Sequence, residues 1–431
     1  MQATPAQNGP AAAARPLVDG DRMLNLLREV SGFGAHPGGG VTRTGLSPED
    51  TAARDHLARR CRAGGLRTST DQAGNLIVRR ANADPAAPVV LMGSHLDTVA
   101  RGGRFDGAYG VIAACEVVRT LAHADRRPAW EPVAIAFTNE EGAHYAYPFL
   151  GSLALTGGVD VDRADSLVDP AGTPLRAALR RAGGDLDTIN DAAWPPGSIG
   201  CYLELHIEQG PLLEARGIPV GLVETITGRT VLDITVTGTQ GHAGTTPMEL
   251  RRDALTVAAH VVLVVQRLAG QQDRCAVATV GVLNPRPNVT NVIAGRVRLT
   301  AELRDGDRQR LQSAEDGLRI ELARLAKATD TGIEVRSHRV AEPTATSELA
   351  RNAIRCATDD LGLPHLALDS GAGHDAQIVA GIAPIGMIFV PSHDGVSHAP
   401  EEHTDDHDLV AGAETLLNTV LHLPTGPTSH R

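Results

Sequence analysis

The chain has 431 residues, of which 42% are hydrophobic and 21% charged, and its formal net charge is −11. Two domains are expected from this length, because one hydrophobic core rarely serves a chain of more than about 300 residues. The acidic balance and the lack of basic or aromatic clusters argue against nucleic acids and anionic membranes as partners, and no apolar run reaches the roughly 18 residues of a membrane span.

The first residues, MQATPAQNGPAAAARP, are rich in alanine and proline and lack the charged and apolar regions of a secretory signal. We expect residues 1–18 to form a disordered tail. The cysteines are odd in number and contain no C-x-x-C pair, which favours reduced thiols over disulfides or a thiolate metal site. These observations predict a cytoplasmic protein.

Helix and strand patterns alternate along the first half of the chain. Helical spacing of apolar residues predicts a helix over 19–31, and Ser47 with Pro48 is typical of the start of a second helix. Further on, the patterns predict strands at 75–78, 88–92 and 133–137, with a helix over 110–122 between the last two. This order is typical of an α/β sheet with crossover helices, whose functional sites lie at the carboxyl ends of strands.

The pattern changes near Gly228. A strand, a helix, two strands, a helix and a strand follow, at 231–236, 251–268, 277–283, 296–303, 308–327 and 332–336. That order is that of a ferredoxin-like α+β module, and a helix over 347–361 and a strand over 385–390 then resume the α/β pattern. We predict a discontinuous α/β domain, 19–228 and 343–431, with a smaller domain inserted at 229–342.

Two adjacent carboxylates, Glu140 and Glu141, stand where the strand predicted over 133–137 ends. Like charges this close repel, so the pair belongs either to a solvated turn or to a site with cations nearby. Other potential metal ligands also lie next to predicted strands or helices, namely His95, Asp97, Asp106, His206 and His398. Each alone is more often a turn or surface residue, but their shared position favours a site. Imidazole and carboxylate ligands without thiolates suit zinc, manganese, cobalt or nickel in catalysis.

Six short motifs stand out in the chain, namely H-x-D at 95–97, D-G at 106–107, E-E-G at 140–142, H-I-E-Q-G at 206–210, G-H-A-G-T-T-P at 241–247 and S-H-x-P-E at 397–401. With these motifs in this order, the chain resembles the hydantoinase/carbamoylase family of dinuclear metal-dependent amidases from about residue 20 onwards. The family includes N-carbamoyl-L-amino acid hydrolase, β-ureidopropionase and allantoate amidohydrolase, and it is related to aminoacylases and co-catalytic zinc carboxypeptidases. His206 favours this branch over the peptidases, which usually carry a carboxylate there.

The resemblance implies two divalent metal ions per chain. Asp106 would bridge them, His95 and His206 would complete one position, and Glu141 and His398 would complete the other. A bound water between the ions would be the nucleophile.

The resemblance also implies roles for residues beside the metals. Glu140 would be the general base, Asp97 would orient the imidazole of His95, and His242 would stabilise the oxyanion from the partner subunit of a homodimer. Other positions match the family's substrate contacts, namely Gln209, Asn291, Arg304, Gly371 and Ala372. From the residues alone, these could equally be surface, turn or loop residues.

Three departures from the family pattern bear on the substrate pocket. His144 and Tyr145 replace the usual Arg and Phe after E-E-G, Ala294 replaces the proline of N-V-I-P-G, and Glu302 replaces the usual Asp before Arg304. The metal ligands and the base are unchanged.

The resemblance implies hydrolysis of the carbamoyl C–N bond of an N-carbamoyl-L-amino acid or similar ureido acid, giving the amino acid, ammonia and carbon dioxide. Allantoate amidohydrolase, β-ureidopropionase and an N-acyl amino acid amidase are alternatives, because all their substrates offer a carboxylate to Arg304. A dinuclear exopeptidase and an inactive ligand-binding homologue are more distant alternatives, and the intact Glu140 argues against the latter. The resemblance also implies that the larger domain is catalytic and that the inserted domain, 229–342, is a lid and dimerisation domain. Closure of the two domains is expected about hinges near Gly228 and Glu342.

Overall fold

The computed structural model describes residues 16–83, 87–124, 128–270 and 272–424. Residues 1–15 of the predicted tail, 1–18, therefore lie outside the described residues. None of the helices in these ranges combines the length and apolar character needed to cross a bilayer. All five cysteines are free thiols, and four of them are buried.

The chain divides into two compact units. The first extends to Glu224 and resumes over Thr346–Leu368 and from His374, and the second comprises Thr225–Ala345 and Asp369–Gly373. The sequence pattern placed the boundaries at 228 and 342, and it contains no sign that Asp369–Gly373 packs with the second unit.

The described helices and strands are numbered in chain order. The helices are α1 Gly20–Ser31, α2 Pro48–Ala63, α3 Ala108–His123, α4 Leu150–Leu155, α5 Val161–Asp165, α6 Leu175–Arg181, α7 Leu212–Arg216, α8 Ala254–Gly270, α9 Arg308–Thr329, α10 Glu348–Leu361, α11 Asp375–Val379 and α12 Asp406–His422. The strands are β1 Leu66–Thr70, β2 Leu76–Arg80, β3 Val89–His95, β4 Glu131–Phe137, β5 Ile199–Ile207, β6 Val220–Ile226, β7 Gly228–Thr237, β8 Gly241–His242, β9 Val277–Arg286, β10 Val292–Ile293, β11 Arg296–Asp305, β12 Gly332–Ala341, β13 Thr344–Ala345, β14 His365–Ser370 and β15 Ile385–Val390.

The larger sheet is mixed, with the strand order β1-β2-β4-β3-β5-β15-β6-β13 and with β14 beside β6. Its four central strands, β4, β3, β5 and β15, run parallel to one another, whereas β2 and β6 flank them in the antiparallel direction. The strands β3, β4 and β15 are buried along their whole length, which explains their continuous apolar runs in the sequence. The carboxyl ends of four strands therefore meet at one edge of the sheet.

Helix α3 packs against β3, β4 and β5. A Cβ atom at Gly110 would lie 2.2 Å from the main-chain oxygen of Leu205 in β5, so the helix can approach this closely only because residue 110 is glycine. This approach places the start of α3, directly after Asp106 and Gly107, beside the end of β5.

The second unit contains a four-stranded antiparallel sheet in the order β12-β7-β11-β9. Helices α8 and α9 cover one face, and their apolar side chains form a separate core with this sheet. The chain order of the module is β-α-β-β-α-β, with β8 and β10 forming a small additional ladder. The predicted α/β fold class is confirmed.

Candidate metal centre

The predicted ligands of the first unit converge because of where they stand relative to the parallel strands. His95 is the last residue of β3, His206 lies one residue before the end of β5, and Glu140 and Glu141 follow β4. His398 follows β15 in a loop. Since these strands are neighbours and parallel, the side chains meet at one edge of the sheet.

Two groups of donor atoms share Asp106. The donor atoms of His95, Asp106 and His206 lie within 4.8 Å of one another, and those of Asp106, Glu141 and His398 do so as well. The Oδ1 atom of Asp106 lies 3.0 Å from His206 Nε2, and its Oδ2 atom lies 2.9 Å from His398 Nε2. Each carboxylate oxygen of Asp106 therefore faces a different group.

The hydrogen bonds of the buried histidines indicate which ring nitrogen carries the hydrogen and which one presents a lone pair towards Asp106. His95 Nδ1 lies 2.9 Å from the main-chain oxygen of Asp97, and His206 Nδ1 lies 2.9 Å from that of Ile207. A carbonyl oxygen only accepts, so Nδ1 carries the hydrogen and Nε2 presents its lone pair. The main-chain N–H of Gly107 donates to His206 Nε2 at 3.1 Å, in agreement with this tautomer. Lone pairs and carboxylate oxygens directed into one space fit a divalent cation.

The structure differs from the prediction for Asp97. Its main-chain oxygen, and not its carboxylate, orients His95, since the carboxylate Oδ1 lies 3.9 Å from His95 Nδ1. The carboxylate instead accepts the main-chain N–H groups of Glu140 at 3.2 Å and Glu141 at 3.1 Å. Burial raises the pKa of Asp97 to about 6, while the His95 imidazole acts to lower it. Asp97 therefore shapes the turn that carries both glutamates.

Glu140 is only 7% exposed, and its Oε2 atom lies 3.7 Å from His95 Nε2. Burial raises the pKa of Glu140 well above its usual range; the nearby His95 imidazole opposes this shift, and Asp375 and Glu141 add to it. Burial alone would also raise the pKa of Asp106, but interactions with the nearby imidazoles of His206 and His398 hold it well below its usual range. The two carboxylates thus differ: Asp106 is ionised, and Glu140 has a raised affinity for a proton.

Asn139, which the motifs do not single out, sets the direction of the chain before Glu140. Its backbone is left-handed, with φ of 54°, a conformation that asparagine tolerates better than most residues. Its Nδ2 group donates to the main-chain oxygens of Tyr145 at 3.2 Å and Tyr147 at 2.9 Å. The asparagine thereby closes the loop after the glutamates. The sequence signal that could have identified Asn139 is its position directly before E-E-G.

A buried carboxyl pair that the motifs also leave out lies in the same unit. Glu204 accepts hydrogen bonds from Ser94 Oγ at 2.6 Å and from the main-chain N–H of Ala376 at 2.9 Å. Asp375 accepts one from Ser152 Oγ at 2.6 Å. Burial raises the pKa of Asp375 well above its usual range, and Glu204 adds to this effect. The sequence shows that Glu204 is a carboxylate within a strand, but no sequence pattern predicts that Asp375 is its partner.

Gln209 lies against a predicted ligand. Its Nε2 group donates to Asp106 Oδ2 at 3.1 Å and to Ser397 Oγ at 3.4 Å, and its backbone is left-handed with φ of 57°. The substrate contact expected of Gln209 stays a prediction. The contact that the structure shows is with Asp106.

The other predicted site residues belong to the second unit. Strand β8 carries His242 and pairs with β10, so that His242 lies opposite Val292 and next to Asn291, whose main-chain oxygen accepts from Ala243 N–H at 3.0 Å. His242 is exposed, and its Nδ1 accepts the main-chain N–H groups of Gly244 at 3.0 Å and Thr245 at 3.2 Å. The neutral ring therefore carries its hydrogen on Nε2 and can donate it outwards.

Arg304 is held by two groups of the same unit. Its Nε donates to Glu302 Oε1 at 2.6 Å, and its Nη1 donates to the main-chain oxygen of Gly371. The other oxygen of Glu302 accepts from Arg229 Nε, so the residue that departs from the family pattern connects two arginines. Ala372 bonds through its main-chain N–H and oxygen to Ser370 Oγ, at 3.2 and 3.0 Å. The structure therefore brings Arg304 together with the predicted glycine loop.

Residues 91–422 match the profile of the family described as peptidase family M20/M25/M40. The chain belongs to this family. Within it, the chain is 39% identical to an N-carbamoyl-L-amino acid amidohydrolase of Geobacillus stearothermophilus, over 95% of this chain and 100% of that protein. It is 34% identical to the allantoate amidohydrolase of Escherichia coli, over 90% of this chain and 94% of that protein.

The chain is also similar to a solved structure of an amidase. The amidase of the hydantoinase/carbamoylase family from Burkholderia multivorans is 37% identical and superposes with a TM-score of 0.86, covering 96% of this chain and 100% of that one. The resemblance read from the six motifs is therefore confirmed, and this M20/M25/M40 member is a hydrolytic enzyme. Family membership and the donor groups around Asp106 together indicate dependence on a divalent metal.

Proposed function

We propose that the enzyme hydrolyses the carbamoyl C–N bond of an N-carbamoyl-L-amino acid, or of a similar ureido acid, to the amino acid, ammonia and carbon dioxide. The observation that carries the proposal is the convergence of two donor groups on Asp106 beside the buried Glu140. Relatives named N-carbamoyl-L-amino acid amidohydrolase, at 39% and 38% identity over most of the chain, support this substrate class.

The proposal includes two divalent ions per chain, one held by His95, Asp106 and His206 and the other by Asp106, Glu141 and His398. When bound, such ions polarise the scissile carbonyl and lower the pKa of water. Zinc, manganese, cobalt and nickel all suit this set of nitrogen and oxygen donors.

Glu140 moves the proton in this proposal. Its carboxylate takes a proton from the attacking water and delivers it to the departing nitrogen. A buried carboxyl with a raised pKa suits this task, because it binds the proton firmly enough to accept it and releases it to a more basic amine. Asp97 keeps Glu140 in place through the main-chain N–H of the turn.

The second unit supplies the substrate contacts. Arg304 binds the substrate carboxylate with those N–H groups that Glu302 and Gly371 do not occupy, and its contacts with these two residues fix the direction of the guanidinium. Asn291 adds a polar contact, and so does Gln209, which belongs to the first unit. The Nε2–H of His242 donates to the oxyanion that forms at the carbonyl under attack.

The enzyme is proposed to act as a homodimer through its inserted domain, with His242 serving the site of the partner copy. Strand β9 is an edge of its sheet and exposes Val282 and Leu283, and α8 exposes Leu255 and Leu263. An edge strand with exposed apolar side chains suits pairing with a second copy. Closure about hinges near Gly228 and Glu342 and a cytoplasmic location stay predictions.

A substrate panel tests the proposed function. The purified enzyme is loaded with zinc or manganese and given N-carbamoyl-L-amino acids, N-carbamoyl-β-alanine, allantoate, N-acyl amino acids and dipeptides, and ammonia and free amine are measured separately. Equal release of ammonia and amino acid from the N-carbamoyl-L-amino acids is expected. Amine without ammonia from acyl substrates or dipeptides would overturn the carbamoyl assignment. Turnover of allantoate alone would favour the second candidate, which the relative from Escherichia coli supports.

A further inference from the structure

The carboxylate of Glu402 lies between two loops that are almost 300 residues apart in the chain. Its Oε1 atom accepts the main-chain N–H groups of Phe105 at 2.8 Å and Asp106 at 3.2 Å. Its Oε2 atom accepts the hydroxyl of Ser397 at 2.9 Å. Glu402 is only 4% exposed, so water competes little for these hydrogen bonds.

The chain before Asp106 is built closely around this carboxylate. A Cβ atom at Gly103 would lie 1.9 Å from Cδ of Glu402, so any other residue there would displace the carboxylate or the loop. Hydrogen bonds to an ionised carboxylate are stronger than those between neutral groups. Glu402 therefore fixes both loops rather than filling space.

Both loops carry donors of the same proposed metal position. Asp106 is held through its own main-chain N–H, and His398 directly follows Ser397 and has a left-handed backbone with φ of 56°. The two donors face each other, with Asp106 Oδ2 and His398 Nε2 2.9 Å apart. The other histidine donors, His95 and His206, stand on strands and are oriented by main-chain oxygens of their own segments.

We propose that Glu402 is a positioning residue for the metal position formed by Asp106, Glu141 and His398. It keeps the loops of Asp106 and His398 at the separation at which both can bind one cation. The placement of His95 and His206 is fixed largely by the sheet instead. This inference depends on the two-cation site proposed above. Loss of a partner of this kind typically weakens metal binding by about 10–100-fold.

The test compares Glu402→Asp with Glu401→Asp in the full-length, metal-free protein. Both changes keep the charge and remove one methylene; Glu401 is exposed, whereas the shortened residue 402 can no longer span the two loops. Zinc affinity is measured by competition with a chromophoric chelator, and a His398→Ala variant identifies the binding step that belongs to its position. We expect that step to weaken by about 10–100-fold in Glu402→Asp and to stay within about twofold of the wild type in Glu401→Asp.

A second variant, Ser397→Ala, removes the contact of Glu402 Oε2 together with the longer contact, 3.4 Å, from Gln209 Nε2, and it is expected to weaken the same step in the same direction. Thermal melting of each metal-free variant reports whether it folds. If Glu402→Asp does not fold, the zinc affinity of Ser397→Ala alone tests the inference. Unchanged zinc affinity, or equal weakening of both steps, overturns the inference. Wild-type protein that binds fewer than two zinc ions overturns the two-cation proposal instead, so the two failures are distinguishable.

Discussion

At the scale of single residues, Glu140 and Glu141 are neighbours in sequence with different surroundings. Glu140 is directed towards His95, whereas Glu141 Oε1 lies 3.3 Å from His398 Nε2. The Asp97 carboxylate binds the main-chain N–H of both glutamates and so keeps the turn that separates them. Two adjacent carboxylates can therefore take different roles without moving the backbone.

Changing Glu140 to Gln keeps the size of the side chain but removes its ability to take up a proton. We expect kcat to fall by about 10²–10⁴-fold, while zinc content stays at the wild-type level because Glu140 is outside both donor groups. Steady-state assays and elemental analysis measure the two effects. The control is Glu49→Gln, an exposed carboxylate at the start of α2. Wild-type turnover in Glu140→Gln would remove Glu140 from the mechanism.

Changing Arg304 to Lys keeps the positive charge but loses the planar fork that binds a carboxylate at two points. We expect KM to rise by about 10-fold or more, since a hydrogen bond to a charged group contributes about 1.5–3 kcal/mol, with a smaller effect on kcat. Arg298→Lys is the matched control, because Arg298 is exposed on the same face of the same strand. A rise in KM of the same size in both variants would contradict a specific contact with the substrate.

At the scale of elements, the strand and helix patterns predicted most of the fold. The strand predicted over 385–390 coincides with β15, and the predicted helix over 110–122 lies within α3. The helix predicted from residue 251 begins instead at Ala254, because the side chain of Asp253 accepts the N–H groups of the first turn. Periodicity locates an element, whereas side-chain hydrogen bonds decide where it begins.

The approach of α3 to β5 gives a prediction at this scale. Gly110→Ala would place a Cβ atom against the main-chain oxygen of Leu205, and we expect it to reduce the free energy of unfolding by about 1–3 kcal/mol. Zinc affinity should fall as well, because α3 begins directly after Asp106. The control is Gly270→Ala in α8, where the added Cβ meets nothing within 4 Å. Denaturant unfolding of the metal-free proteins measures the difference, and equal stabilities would contradict the close approach.

At the scale of the whole molecule, every proposed metal ligand belongs to the first unit. Removing the metal with a chelator should therefore destabilise that unit selectively. The free energy of unfolding should fall by about 4 kcal/mol if the free metal concentration had been about 1,000 times its dissociation constant. Hydrogen–deuterium exchange is expected to rise in peptides from β3 and β5 and to stay constant in peptides from β7 and β11. Uniform changes across both sets of peptides would show that the metal stabilises the chain in another way.

The proposed homodimer makes a prediction at the same scale. Val282→Asp on the edge strand β9 should shift the protein from dimer to monomer in analytical ultracentrifugation and reduce turnover, because His242 of the partner subunit would be lost from each site. Val340→Asp, on the opposite edge strand β12 and likewise exposed, is the control and should leave the dimer intact. A fully active monomer would remove the role of His242 across the dimer.

The sequence by itself determined the class of the fold, the positions of the central strands and the types of donor residue, because hydrophobic periodicity and short motifs are local properties. It also predicted that His95, Glu141 and His206 meet, since neighbouring parallel strands end at one edge of a sheet. Only the tertiary structure decided that the main chain of Asp97 orients His95, that its carboxylate binds the turn of the glutamates, and that Glu402 joins the loops of Asp106 and Ser397. These contacts join segments far apart in the chain, and their distances depend on how strands and loops pack, which no local pattern contains.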